Sequence, residues 1–265
     1  MKRLLITGAA GRLGSMARQR LGHLADVVRL SDIADLGIAA PHEELVICDL
    51  ADADAVDALV ADCGGIVHFG GHATEAPWSA IGGANIEGMV NLYEAVRRHG
   101  RRSRIVFASS NHAIGFYRQS ETIDADVPTR PDSLYGVSKV FGEALASMYH
   151  DKFGIETAIV RIGSCFPEPA DHRMLATWMS ADDLVALIER IFDIPVLGCP
   201  IIYGVSDNDR RWWDNSKVSY LGWRPRDNAE RFRAQLDAAM DPPAPDAGDA
   251  LYQGGLLATD GIHEE

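Results

Sequence analysis

Lysine is scarce in this chain: only four of the 25 basic residues are lysines, and 38 Asp and Glu bring the formal charge to -13. So acidic a chain lacks the basic surface that nucleic acid or an anionic membrane demands, so neither is expected as a partner. Long apolar runs are missing too. No stretch approaches the roughly 20 residues of a membrane span. The opening Met1-Lys2-Arg3-Leu4-Leu5-Ile6-Thr7-Gly8 reaches a glycine loop too early to read as a secretory signal, and the expected location is cytoplasmic. The four cysteines, Cys48, Cys63, Cys165 and Cys199, show neither C-x-x-C spacing nor paired histidines, which predicts free thiols and no metal. His68 and His72 stand four apart, but Phe69-Gly70-Gly71 between them reads as a strand end entering a loop rather than a helical metal face. No internal repeat occurs. With 47% hydrophobic and 24% charged residues in 265, the composition excludes disorder, collagen and coiled coil, and it supports a sizeable core.

Short apolar runs, rich in β-branched residues, alternate with helical patterns through the first 160 residues: 3–7, 27–30, 45–48, 66–69, 105–108 and 158–162. This alternation predicts an α/β fold, a Rossmann-like doubly wound parallel sheet, whose strands are apolar because both faces are covered. Asp52 is placed to cap a helix over 53–63, and 77–99 carries apolar residues at helical spacing. Beyond residue 162 the pattern loosens. Ser180 and Asp183 form a candidate capping box ahead of 184–192, followed by a strand over 201–205, a Trp-rich turn at Trp212 and Trp213, and a helix near 228–240. The expected organisation is a dinucleotide-binding domain over 1–162, a small appended C-terminal substrate-binding region over 163–240, and an extended, Pro-rich arm over 241–265.

Thr7-Gly8-Ala9-Ala10-Gly11-Arg12-Leu13-Gly14 follows the first strand and opens the first helix. In that setting Gly8 serves a tight turn, Gly11 lets backbone approach a pyrophosphate, and Gly14 allows close packing, while Arg12 and Leu13 lie along the cofactor. The spacing is G-x-x-G-x-x-G, and alone such a loop also suits an ordinary strand-to-helix turn. Asp32 ends the second strand, where its carboxylate can bond a ribose 2'-hydroxyl and repel a 2'-phosphate, favouring NAD over NADP. Capping a turn is its other possible role. Asp49 and Leu50 are placed to flank the adenine, and Phe69, Gly70, Gly71 and His72 to line ribose and pyrophosphate. Ile33, Ile162 and Cys165 are further candidates for cofactor contacts.

Tyr135-Gly136-Val137-Ser138-Lys139 places a phenol and an ammonium four apart, on one face of a helix. A free tyrosine has a pKa of about 10 and becomes a base near neutrality only if a cation stabilises its phenolate, which Lys139 or an oxidised nicotinamide can do. Ser110 closes the fifth strand at the sheet edge where α/β enzymes bind substrate, positioned to bond the reacting oxygen.

A T-G-x-x-G-x-x-G loop, a strand-end serine and Y-x-x-x-K in this order resemble the extended short-chain dehydrogenase/reductase superfamily, over about residues 1–240 and including Leu221-Gly222-Trp223-Arg224-Pro225. Within it the chain resembles the bacterial uronate dehydrogenases, on Phe107-Ala108-Ser109-Ser110-Asn111-His112, Val160-Arg161-Ile162-Gly163-Ser164-Cys165, His172-Arg173-Met174-Leu175-Ala176-Thr177-Trp178 and Trp212-Trp213-Asp214-Asn215. The resemblance implies an NAD enzyme that oxidises C1 of D-glucuronate or D-galacturonate to the aldarolactone. Tyr135 would be the base, with Lys139 and Ser110 assisting. Ser110, Asn111, His112 and Ser164 would contact the sugar, and Arg173 would hold the carboxylate. A fixed arginine fork suits that task in a protein of such negative charge. Ala73 stands where the pattern has a substrate-binding serine, and Thr74 is the candidate replacement. The resemblance also implies a homo-oligomer. A sugar epimerase that retains NAD, and a non-catalytic NAD-sensing regulator, are the other readings that such a chain admits.

Overall fold

A computed structural model describes residues 1–99 and 103–262. Seven parallel strands form a single sheet: β1 (Arg3–Thr7), β2 (Val27–Asp32), β3 (Glu43–Ile47), β4 (Gly65–His68), β5 (Arg104–Ser110), β6 (Thr157–Ile162) and β7 (Ile201–Gly204), in the order β3-β2-β1-β4-β5-β6-β7. The direction of winding reverses between β1 and β4, and the crevice beyond their carboxyl ends is where such sheets bind ligands.

Alternation along the strands divides the core. Leu4 and Ile6 of β1, with Val106 of β5 and Val160 of β6, face one side, where they pack with Leu184, Leu187 and Ile191. Leu5, Ile105, Phe107 and Ile159 face the other, against Met89, Leu92 and Val96. Period-2 side chains on a sheet covered on both faces produce these two layers from near-continuous apolar runs.

The helices are α1 (Arg12–Arg20), α2 (Ala53–Val60), α3 (Trp78–Ile81), α4 (Gly88–Arg98), α5 (Leu134–Phe153), α6 (Met174–Thr177), α7 (Ala181–Asp193), α8 (Arg233–Ala239) and α9 (Gly248–Leu251). Asp52 caps α2 as expected, accepting from the backbone N–H of Asp54 and Ala55, though the helix stops at Val60. The single helix expected over 77–99 is α3 and α4 joined by a π-helical stretch, Gly82–Glu87, that turns Asn85 into the interior.

The expected capping box at α7 is only half made. The Ser180 hydroxyl accepts from the N–H of Asp183, but the Asp183 carboxylate turns outward to Ser206 and to the N–H groups of Arg226 and Asp227. The reason lies in competition, since the Ser180 N–H already donates to the Ser206 hydroxyl. The C-terminal stretch also differs from an extended arm. It forms α9 and a 3-10 turn over Gly255–Ala258, pairs Tyr252 with Arg118, and buries Gln253 completely. Residues 263–265 of that stretch lie outside the described residues.

Candidate active site

Every cofactor and substrate candidate named from the sequence, with the exception of Thr74, lines one cavity of about 880 Å³ beyond the carboxyl ends of β1, β4 and β5. Thr74 is exposed and turned away, while its neighbour Ala73 lines the wall, so the expected hydroxyl replacement is not made. Glu75 next in line is drawn inward, where its carboxylate accepts from the Tyr135 N–H at 2.8 Å.

On the glycine side, Gly8 sits at φ +67°, and a Cβ there would stand 2.7 Å from the Phe69 carbonyl carbon. The loop is therefore packed against the β4 exit with no room for a side chain. α1 begins at Arg12 with Gly11 as its cap, and no side chain caps it. Its first-turn N–H groups and the positive end of the helix dipole are left for an anion, as a pyrophosphate requires. The Asp32 carboxylate accepts from the N–H groups of Ala10 and Ala34, which fixes it at the cavity edge as a brace of the loop. Arg12 stacks its guanidinium over the Phe166 ring at 3.7 Å and so borders the cavity rather than neutralising Asp32. This cradle fits a dinucleotide, and Asp32 suits one with a free ribose hydroxyl. Among the described residues no group of three His, Cys, Asp or Glu is arranged to hold a metal, and the four cysteines are free.

Tyr135 and Lys139 rise from the first turns of α5, which starts at Leu134 because the Ser133 hydroxyl accepts from the Gly136 N–H. Both are buried. Lys139 Nζ donates to the Ala108 carbonyl at 3.0 Å and stands 5.4 Å from the centre of the Tyr135 ring. Burial pulls its ammonium down to about 8. Burial pushes the Tyr135 phenol up to about 12, with the Ser110 hydroxyl pulling against it. Lys139 turns its charge on the Ala108 carbonyl, which leaves the oxidised nicotinamide as the second cation to favour the phenolate.

His112 packs edge-on to the Tyr135 ring, and its Nδ1 bonds the fully buried carboxylate of Asp132 at 2.8 Å. Since a carboxylate accepts, Nδ1 is the donor in this bond, which fixes the orientation of the ring. Ser164 pairs with the Thr177 hydroxyl, and the Asn111 amide reaches the Gln253 carbonyl at 3.4 Å. Arg173, half-buried in the cavity wall, donates to that same carbonyl at 2.8 Å and has no carboxylate within 4 Å among the described residues. Burial lowers its pKa, against the pull of Asp171, Asp132 and Asp249.

Four residues escaped sequence reasoning. Asp132 orients His112, and Glu75 holds the start of α5. Asn85 bonds both backbone groups of His72 and the Ser138 hydroxyl, and Gln253 supports Arg173. None of them stands in a motif; a serine cap three residues before Gly136 was the only local signal near this helix start.

Residues 4–192 match the model of the NAD dependent epimerase/dehydratase family. A uronate dehydrogenase of Agrobacterium fabrum is 57% identical over the whole of both chains, and one of Pseudomonas putida is 54% identical over 98% of this chain and 96% of its own. A crystal structure of uronate dehydrogenase from Agrobacterium tumefaciens, a tyrosine-to-alanine variant complexed with NAD, superposes with a TM-score of 0.98 at 57% identity over the full length of both chains. By this likeness, spread over fold, loop and pocket alike, the chain belongs to the NAD dependent epimerase/dehydratase family and, within it, to the uronate dehydrogenases.

Proposed function

We propose that this chain oxidises C1 of D-glucuronate or D-galacturonate, in the pyranose form, to the aldarolactone. The observation that carries the reading is Arg173: a half-buried guanidinium in the wall of the same cavity as Tyr135, Ser110 and Lys139, bonded to one backbone carbonyl and to no carboxylate within 4 Å among the described residues. A guanidinium that meets only a neutral carbonyl has donors to spare, and a carboxylate of the substrate would match its fork.

NAD, when bound, supplies the hydride acceptor and a positive charge in the cavity. Gly8, Gly11 and the first turn of α1 would hold its pyrophosphate and Asp32 its adenosine ribose. Tyr135, as phenolate, takes the proton of the C1 hydroxyl, whose oxygen Ser110 orients. Lys139 adds positive charge behind the phenolate, from the Ala108 carbonyl where it is anchored. His112, oriented by Asp132 in the cavity wall, suits a sugar hydroxyl. Asn111 and Ser164 complete the hydroxyl contacts.

The exposed Trp78, Val137, Met148 and Phe153 on α3 and α5 support a homo-oligomer, and a cytoplasmic setting is consistent with the free cysteines. No helix among the described residues is long and apolar enough to cross a membrane.

Mixing the protein with NAD and, separately, D-glucuronate, D-galacturonate and glucose should raise the NADH absorbance with both uronates and not with glucose. Equal rates with glucose would refute the carboxylate role of Arg173, and no NADH with any sugar would refute the dehydrogenase reading for this chain.

A further inference from the structure

Gln253 is buried completely and uses its whole hydrogen-bonding capacity. Its side-chain amide donates to the carbonyls of Arg118 and Glu121 at 3.0 and 2.9 Å, and its Oε1 accepts from the Trp213 indole at 2.8 Å. Its backbone N–H donates to the Tyr117 carbonyl. The one group left over, its backbone carbonyl, takes Arg173 Nη1 and Asn111 Nδ2. Two side chains of the substrate cavity, from separate parts of the chain, thus converge on one oxygen of the C-terminal segment. Two residues further on, Gly255 lies against the Arg173 side chain: it sits at φ +68°, and a Cβ there would stand 2.6 Å from Arg173 Nε.

An arginine side chain carries considerable rotamer freedom, and its fork grips a carboxylate well only when its plane is fixed beforehand. We propose that the C-terminal segment aims the carboxylate clamp, with Gln253 as the positioning residue and Gly255 as the gap that lets Arg173 lie against the segment. The proposal rests on the reading of Arg173 as that clamp. Gln253 does not line the cavity; it acts through Arg173, because its three side-chain bonds determine where its carbonyl lies. Loss of those bonds leaves the charge of Arg173 in place and takes away its direction.

The test uses the full chain and compares D-glucuronate with D-glucuronamide, which masks the charge at the same position. Gln253→Met keeps the volume and removes all three side-chain bonds, and Gly255→Ala presses a methyl group onto Arg173 if the first variant does not fold. Each should raise the glucuronate KM about tenfold, with kcat, the NAD KM and the glucuronamide KM within about twofold of the parent. An unchanged glucuronate KM in whichever variant folds, or an equal rise for acid and amide, would overturn the proposal, the latter because a general disturbance of the pocket affects both. Arg173→Lys in the same assay separates the two ideas. If it leaves the glucuronate KM unaltered, the clamp itself is wrong; if it raises that KM and Gln253→Met does not, only the positioning role falls.

Discussion

The two halves of the cavity are held in different ways. The cofactor half is centred on one loop: Gly8, Gly11 and Gly14 lie within it, the Asp32 carboxylate accepts from the Ala10 N–H across 22 residues, and a single bond from the Gly70 N–H to the Thr7 hydroxyl, across 63 residues, ties it to the exit of β4. The substrate half is built from strangers, with Tyr135 tied to Glu75 across 60 residues, Arg173 to Gln253 across 80, and Asn111 to Gln253 across 142. The glycine loop is mostly local and is fixed at the sheet edge by its bond to the exit of β4, whereas the substrate half exists only when segments from residue 75 to residue 253 have come together. The substrate half is therefore the sensitive reporter of global integrity, and the cofactor half the sensitive reporter of local geometry.

Tyr135 lies on the seam, and its replacement should be the most damaging. Tyr135→Phe is expected to lower kcat by about a thousandfold, the range for losing a proton acceptor, with NADH binding measured by fluorescence nearly unaltered. If NADH binding fell in step with turnover, the halves would not be separable at this residue.

Lys139 gives the next largest effect, read as stability against pH. Its folded-state pKa of about 8 lies below the ordinary 10.5, so between these values the unfolded chain binds more protons than the folded one. Stability should then be recovered as pH rises through 8. Relative to Lys139→Met, the cofactor-free protein should gain about 2 kcal/mol between pH 7 and pH 9.5, measured by urea unfolding. The Tyr135 phenol, raised to about 12, works in the opposite sense above pH 10, which sets the upper limit of the window. Parallel curves for the two proteins would mean that the ammonium is not desolvated.

The smallest of the three effects tests the cofactor half alone. Gly8→Ala forces a side chain into a left-handed backbone and against the β4 exit, and should raise the NAD KM about tenfold. At saturating NAD the uronate KM should hold; a matching rise would show the two halves to be mechanically joined.

The same contrast explains what could be read in the sequence. The glycine loop, Asp32 and the Tyr135–Lys139 spacing are local patterns, and the parallel sheet follows from apolar runs alternating with helical ones. Arg173 was recognisable by its surroundings in the chain, but its support was not, since nothing near residue 253 marks a glutamine that will bond Arg118, Glu121 and Trp213. Ala73 lines the cavity and Thr74 does not, because in an irregular loop the spacing of residues does not encode which side chain reaches the wall. Proline-rich composition after residue 241 predicts a lack of regular structure, and it says nothing of whether such a stretch docks. The protonation of Tyr135 depends on burial, which a four-residue spacing does not encode.

The π-helical turn between α3 and α4 has a bearing on how this site can change over generations. A π turn holds one residue more than an α-helix needs, so Gly82–Glu87 has the form of a single-codon insertion accommodated inside an ordinary helix. Deleting one residue there would restore regular hydrogen bonding and rotate Asn85 by about 100° away from the His72 backbone and Ser138. Such a deletant would be the sturdier helix, at the cost of the Asn85 bonds that hold His72 in the cavity wall.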